Sequence, residues 1–142
     1  MIRVQKEAFD PWRELGAFQE AQGTGWAGRF GATAVFVGSL RDFNQGQAVA
    51  GMVLEHYPGM TEGYLEKISA EARARWELLE TLIIHRHGQL LPGDPIVLVA
   101  VWSAQRDAAF AACRYLIDEL KTRAPFWKQE ATPDGARWVK PG

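Results

Sequence analysis

Residues 81–103 read TLIIHRHGQLLPGDPIVLVAVWS, and the way this stretch folds decides the class of the whole chain. Its two arms, 81–88 and 95–103, are rich in Ile and Val and read as strands. Between them QLLPGD carries proline, glycine and aspartate, the composition of a turn. Two strands follow one another here with no helix between them. That order points toward antiparallel pairing rather than an alternating parallel sheet.

Working outward, the same paired pattern recurs. IRVQ (2–5) alternates as a short strand, and DPWRELGAFQEAQ (10–22) reads as a helix with Asp10 as N-cap and Pro11 at its first position. GTGWAGRFG (23–31) reads as a loop, ATAVFVGSL (32–40) as a strand, RDFNQGQ (41–47) as a turn and AVAGMVLEHY (48–57) as the next strand. Residues 61–79 are read as a helix with Leu65, Ile68, Ala72 and Leu79 near one face. A further helix is expected from Asp107 to Leu120, with Phe110, Cys113, Ile117 and Leu120 along one face. FWKQEAT (126–132), a Pro133-Asp134-Gly135 turn and ARWVK (136–140) close the chain as a strand pair. The order β-α-β-β-α-β-β-α-β-β predicts an α+β fold, mainly antiparallel, in one domain over residues 1–142.

The bulk composition narrows the function. Sixteen basic and seventeen acidic side chains leave a net charge of −1, so any anion site is a local cluster rather than a global field. Nucleic acid and membrane partners are therefore not expected. No apolar run has the roughly 18 residues of a membrane span, and the start lacks the apolar region of an export signal. Cys113 is the single cysteine, which excludes an internal disulfide and agrees with a reducing, cytoplasmic setting.

Several local groupings carry candidate chemistry. KTRAPFWK (121–128) places Lys121 in a helix's last turn, then Pro125, then Phe126 and Trp127 before Lys128. Lys121 reads as a cation complementing the helix dipole, or as one half of a site. Lys128 shares a strand face with Phe126, and an apolar neighbourhood there lowers an ammonium's pKa. Arg41 follows a strand end, where loops often carry function; a surface ion pair is its plainer reading. Gln105 and Arg106 begin a helix after a strand, with Ser103 as a possible cap, and suit a phosphate or carboxylate. His85 and His87 lie two apart, but no third ligand has convincing spacing, so no metal is expected.

The linked strings FVGSLRDFNQG, LEHYPGMTE, IIHRHGQLLPGD, VWSAQRDAAF and LKTRAPFWKQEATPDGARWV resemble the large, catalytic subunit of molybdopterin synthase, the MoaE family, from about residue 30 to residue 139. The resemblance implies an α/β-hammerhead fold. It implies a sulfurtransferase that converts cyclic pyranopterin monophosphate to molybdopterin, with no resident cofactor. Both sulfurs then come from the thiocarboxylated C-terminal Gly-Gly of a ubiquitin-like small subunit. Two large subunits form a central homodimer within a heterotetramer. By motif, Lys121 and Lys128 match the family's catalytic lysines, and Phe126 and Trp127 are expected to wall their pocket. Ser39, Leu40, Arg41, Gln105, Arg106, Gln129 and Glu130, with both lysines, match the substrate-binding positions. Gln105 stands where the family commonly has histidine, which removes a group able to change charge near neutral pH. The other reading of the chain is a non-catalytic module that grips a ubiquitin-like tail.

Overall fold

The computed structural model describes residues 1–44, 46–133 and 135–139; Asp134 and Lys140 of the expected closing pair lie outside them. In chain order the elements are β1 (Ile2–Gln5), α1 (Pro11–Ala21), β2 (Ala32–Ser39), β3 (Phe43–Asn44), β4 (Gln47–Ala48), β5 (Gly51–His56) and α2 (Met60–Arg75). They continue as β6 (Leu78–Arg86), β7 (Gly88–Leu90), β8 (Pro95–Ser103), α3 (Arg106–Thr122), β9 (Phe126–Thr132) and β10 (Gly135–Val139).

The 81–103 stretch forms the centre of the first sheet, whose order is β1-β6-β8-β2. β6 and β8 pair antiparallel, as do β8 and β2, while β1 joins the edge in parallel beside β6. The second sheet, β10-β9-β5-β7, is antiparallel throughout. The α+β reading with mainly antiparallel pairing therefore holds.

Both faces of the first sheet are covered, which explains its nearly unbroken apolar runs. Ile83, Val97, Val99 and Val101 face α2, α3 and the second sheet in one core. Leu82, Ile84, Leu98, Ala100 and Trp102 face the other way, against Phe9, Leu15, Phe18, Trp26 and Phe30. Period-2 alternation along β6 and β8 assigns each residue to its side.

Asp10 caps α1 as expected, its Oδ1 accepting from the backbone N–H of Trp12 and Arg13, with Pro11 at the first position. Other expectations are corrected. The helix read over 61–79 ends at Arg75, because Trp76 adopts an extended backbone (φ −132°, ψ 147°), and Leu79 lies in β6 instead of on a helical face. Phe110 is 67% exposed; the buried stripe of α3 runs through Ala109, Ala112, Cys113, Leu116, Ile117 and Leu120. Ser103 does not cap α3, since its hydroxyl donates to the Glu77 carbonyl at 2.8 Å. RDFNQGQ contains β3 and the start of β4, GTGWAGRFG a 3-10 turn at Gly23–Trp26, and the start of QLLPGD belongs to β7. β7 is held by pairing with β5, while β3 and β4 pair locally with each other; all these pieces are too brief to announce themselves by periodicity.

Candidate active site

α3 follows β8 after a two-residue turn and packs back across β2 and β8. Its last turn therefore lies over the end of β2, and Lys121 Nζ sits 5.5 Å from the centroid of the Phe36 ring. A cation over an aromatic face is held by the ring quadrupole, by about 0.5–1 kcal/mol at exposed sites. Lys121 itself is exposed.

The end of β2 is shaped by a register shift between Gly38 and Ser39, after which Ser39 faces Pro95. Such a bulge bends the strand and re-aims the residues beyond it. A Cβ on Gly38 would stand 3.0 Å from Val97 Cγ1, so the strand closes tightly here. Leu40 is buried and anchors the turn: its N–H donates to the Asp94 carbonyl at 3.0 Å, and its carbonyl accepts from the Gly93 N–H at 2.8 Å. Gly93 has φ +91°, a backbone state that favours glycine. Ser39 and Arg41, either side of that anchor, are exposed at the same end of the sheet as Lys121.

Lys128 arrives from the second sheet. α3 ends at Thr122, and the chain turns through Ala124 and Pro125. The Pro125 carbonyl accepts from the Thr61 hydroxyl at 3.4 Å, and that hydroxyl accepts from the Tyr57 N–H, so the start of α2 braces the hinge. β9 then carries Phe126, Lys128 and Glu130 on the face that meets the core. Burial pushes the Lys128 pKa below its ordinary value, the Lys121 charge lowers it further, and Glu130 opposes both. Glu130 is buried and accepts from Arg137 Nε and Nη2 at 3.2 and 3.1 Å. The Lys121 charge thus reaches Lys128 across six intervening residues of sequence.

Phe126 is a core residue rather than a pocket wall, 4% exposed and stacked on His85; the Trp127 side chain is outside the described set. Gln129 points away from Lys128, by strand alternation, into a groove of about 300 Å³ lined also by Val53, Gln89, Leu91, Ala131 and Ala136. Gln105 and Arg106 lie at the opposite end of α3 from Lys121. Fifteen helical steps separate Arg106 from Lys121 by about 22 Å along the axis. Gln105 is the N-cap residue of α3, with no capping bond from its side chain. Within one chain, then, Lys121 lies over β2 and its charge reaches Lys128, while Gln105 and Arg106 stand at the other end of α3.

The histidines do not form a metal pair. His85 is buried against Phe126, whereas His87 meets His56 with ring centroids 4.1 Å apart. Among the described residues no group of three or more His, Cys, Asp or Glu has metal-holding geometry. His85 was visible in the sequence only as a possible ligand. Its place on the buried Thr81-Ile83 face of β6 is the signal that marks it as part of the interior beside Lys128. Phe36, beneath Lys121, carried no separate sequence signal. Cys113 is buried, and desolvation pushes its thiol up to about 11, which leaves it a poor nucleophile. No helix among the described residues is long and apolar enough to cross a membrane.

Residues 4–123 match the family model described as MoaE protein. A protein of Pseudomonas aeruginosa named molybdopterin synthase catalytic subunit is 58% identical over 98% of this chain and 89% of its own length. Among solved structures, the molybdopterin biosynthesis MoaE protein from Burkholderia ambifaria is 50% identical with a TM-score of 0.81, covering 99% of this chain and 89% of that one. Molybdopterin synthase from Staphylococcus aureus is 30% identical with a TM-score of 0.81, over 96% of this chain and 95% of that one.

Proposed function

This chain belongs to the MoaE family and is an enzyme of molybdenum cofactor biosynthesis, and from that premise we propose how its site performs the reaction. It is the catalytic subunit of molybdopterin synthase. Its substrate is cyclic pyranopterin monophosphate and its product molybdopterin. The two dithiolene sulfurs are delivered by the thiocarboxylated C-terminus of a ubiquitin-like small subunit, and no resident cofactor takes part. The setting is the cytoplasm.

The observation that supports this reading is that the charge of Lys121, whose ammonium lies over Phe36 of β2, reaches the half-buried Lys128 of β9. Attack of a thiocarboxylate sulfur on the pterin side chain needs a cation to hold the anionic tail and the developing oxyanion. Lys121, exposed and charged, lies beside the incoming thiocarboxylate. The same chemistry needs a group that gives and takes a proton. Lys128, half-buried with its pKa lowered, orients the substrate and moves that proton. The Ser39-Leu40-Arg41 turn supplies a guanidinium for the phosphate, a charge-assisted contact stronger than a neutral one. The buried, high-pKa Cys113 agrees with sulfur arriving from a partner.

A substrate at Lys121 is met by Gln105 and Arg106 only from a second copy of the chain, given their separation along α3. The homodimer within a heterotetramer accordingly belongs to this reading, with each site completed across the two-fold. Reconstitution with a thiocarboxylated small subunit and cyclic pyranopterin monophosphate tests the whole. Product carrying two new sulfurs is the expected result. Tight binding of the small subunit with no pterin conversion would leave the chain as a binding module.

A further inference from the structure

β6 turns Thr81 and Ile83 toward the core shared with α3 and the second sheet, and on that same face then places a histidine, His85, at 6% exposure. A ring that served only to pack would be better as an apolar one, since burying an imidazole sacrifices its hydration. The stack on Phe126 is close, with centroids 4.0 Å apart and planes within 18°. Phe126 stands two residues before Lys128 on the same face of β9, so the imidazole borders the face that presents the lysine.

The state of the ring follows from one contact. His85 Nδ1 lies 2.7 Å from the Arg86 carbonyl oxygen. A carbonyl only accepts, so Nδ1 carries the hydrogen and, in the neutral ring, Nε2 keeps its lone pair. Burial keeps the ring neutral, with a pKa lowered to about 4, and among the charges acting on it Lys128 comes first, then His56 and His87. The remaining charges bearing on Lys128 are Lys121 from α3 and Glu130 from its own strand.

We propose that His85 is a positioning residue for Lys128: its Nε2 accepts a hydrogen bond from the Lys128 ammonium, steering Nζ in the site and setting how readily it gives up its proton. The inference rests on the catalytic reading of Lys128 given above. An acceptor for the charged form offsets part of the desolvation that drives the ammonium toward its neutral amine. The lysine is thereby held between full charge and premature deprotonation. His85 does not touch substrate in this account; it acts through Lys128.

Three substitutions separate the nitrogens of the ring. His85→Phe keeps the stack and removes both. His85→Asn places an amide near the Nδ1 position only, and His85→Gln near the Nε2 position only. In the reconstituted complex, His85→Phe and His85→Asn should lower kcat about tenfold with KM little changed, while His85→Gln should recover most of it. The Lys128 side chain, followed by NMR titration of its labelled Cε in the folded chain, should titrate about one pH unit lower in the Phe and Asn variants than in wild type. In the Gln variant it should titrate near wild type. Equal Lys128 titration in all four proteins overturns the proposal, as does a Gln variant that behaves like Phe in both measurements. If the Phe or the Asn variant fails to fold, the other is compared with Gln; if the Gln variant fails, Phe and Asn, which both lack the acceptor, are compared with wild type. The titration needs no turnover, so a lysine that proves dispensable for catalysis and a missing His85–Lys128 contact are read separately.

Discussion

The rings of His85 and Phe126 lie 4.0 Å apart and nearly parallel, and this contact joins an inner strand of one sheet to the first residue of a strand in the other. It ties the helix-to-strand hinge before Lys128 to the rigid centre of the molecule. Because an ionised imidazole is poorly tolerated there, the joint is sensitive to acid.

The sign follows from linkage. His85 titrates near 4 when folded against an ordinary 6.5, so between those values the unfolded chain takes up a proton that the folded chain refuses. Stability from this group is full above about pH 6.5 and falls as pH drops toward 4, by at most about 1.4 kcal/mol per pH unit. Urea unfolding across pH 7 to 4.5 should show this slope, reduced in His85→Phe. An unchanged slope in the variant would place the acid sensitivity in other groups.

Lys121→Ala and Lys128→Ala should each abolish dithiolene formation while leaving a folded protein. The first loses only an exposed cation over Phe36, about 0.5–1 kcal/mol. The second removes a group whose charged form is penalised by burial. The less polar Lys128→Met should therefore raise the melting temperature at pH 7, where wild-type Lys128 still bears that penalty. The gain should shrink as pH rises through the lowered folded pKa toward 10.5. Near-normal turnover in either alanine variant would remove that lysine from the mechanism.

Mixing two inactive proteins tests whether the site is shared between copies. Lys128→Ala and Arg106→Ala chains, unfolded together and reassembled, should regain about a quarter of wild-type turnover, since half the dimers are mixed and each mixed dimer carries one intact site. Complementation assays against each variant alone provide the comparison. Recovery no greater than the sum of the separate proteins would mean that Arg106 does not act across the dimer.

Cys113→Ser should leave sulfur transfer intact. The thiol is buried, with its pKa pushed up to about 11, and lies on the apolar stripe of α3. A hydroxyl there destabilises by about 1–3 kcal/mol through desolvation, visible in denaturant midpoints. Loss of dithiolene formation with the fold preserved would implicate this thiol as a sulfur carrier.

The local pattern of the chain was enough for much of this. Alternation in 81–103, the Asp10-Pro11 helix start and the apolar positions of α3 from Cys113 to Leu120 are set by short-range sterics and burial periodicity, which each segment carries in its own residues. The hinge KTRAPFWK likewise announced its helix end and its strand lysine. What the segments could not specify is which of them meet. The parallel seating of β1 beside β6, the end of α2 at Arg75 and the exposure of Phe110 depend on neighbours contributed from distant positions. The Lys121 charge reaches Lys128 only because α3 runs back over β2 and the chain then turns into β9 of the other sheet. The same helix, being rigid and about 25 Å long, holds Arg106 away from them. Residue types with the right chemistry were present in the linear chain; their distances, and the burial that tunes Lys128 and His85, exist only once two sheets close on a common core.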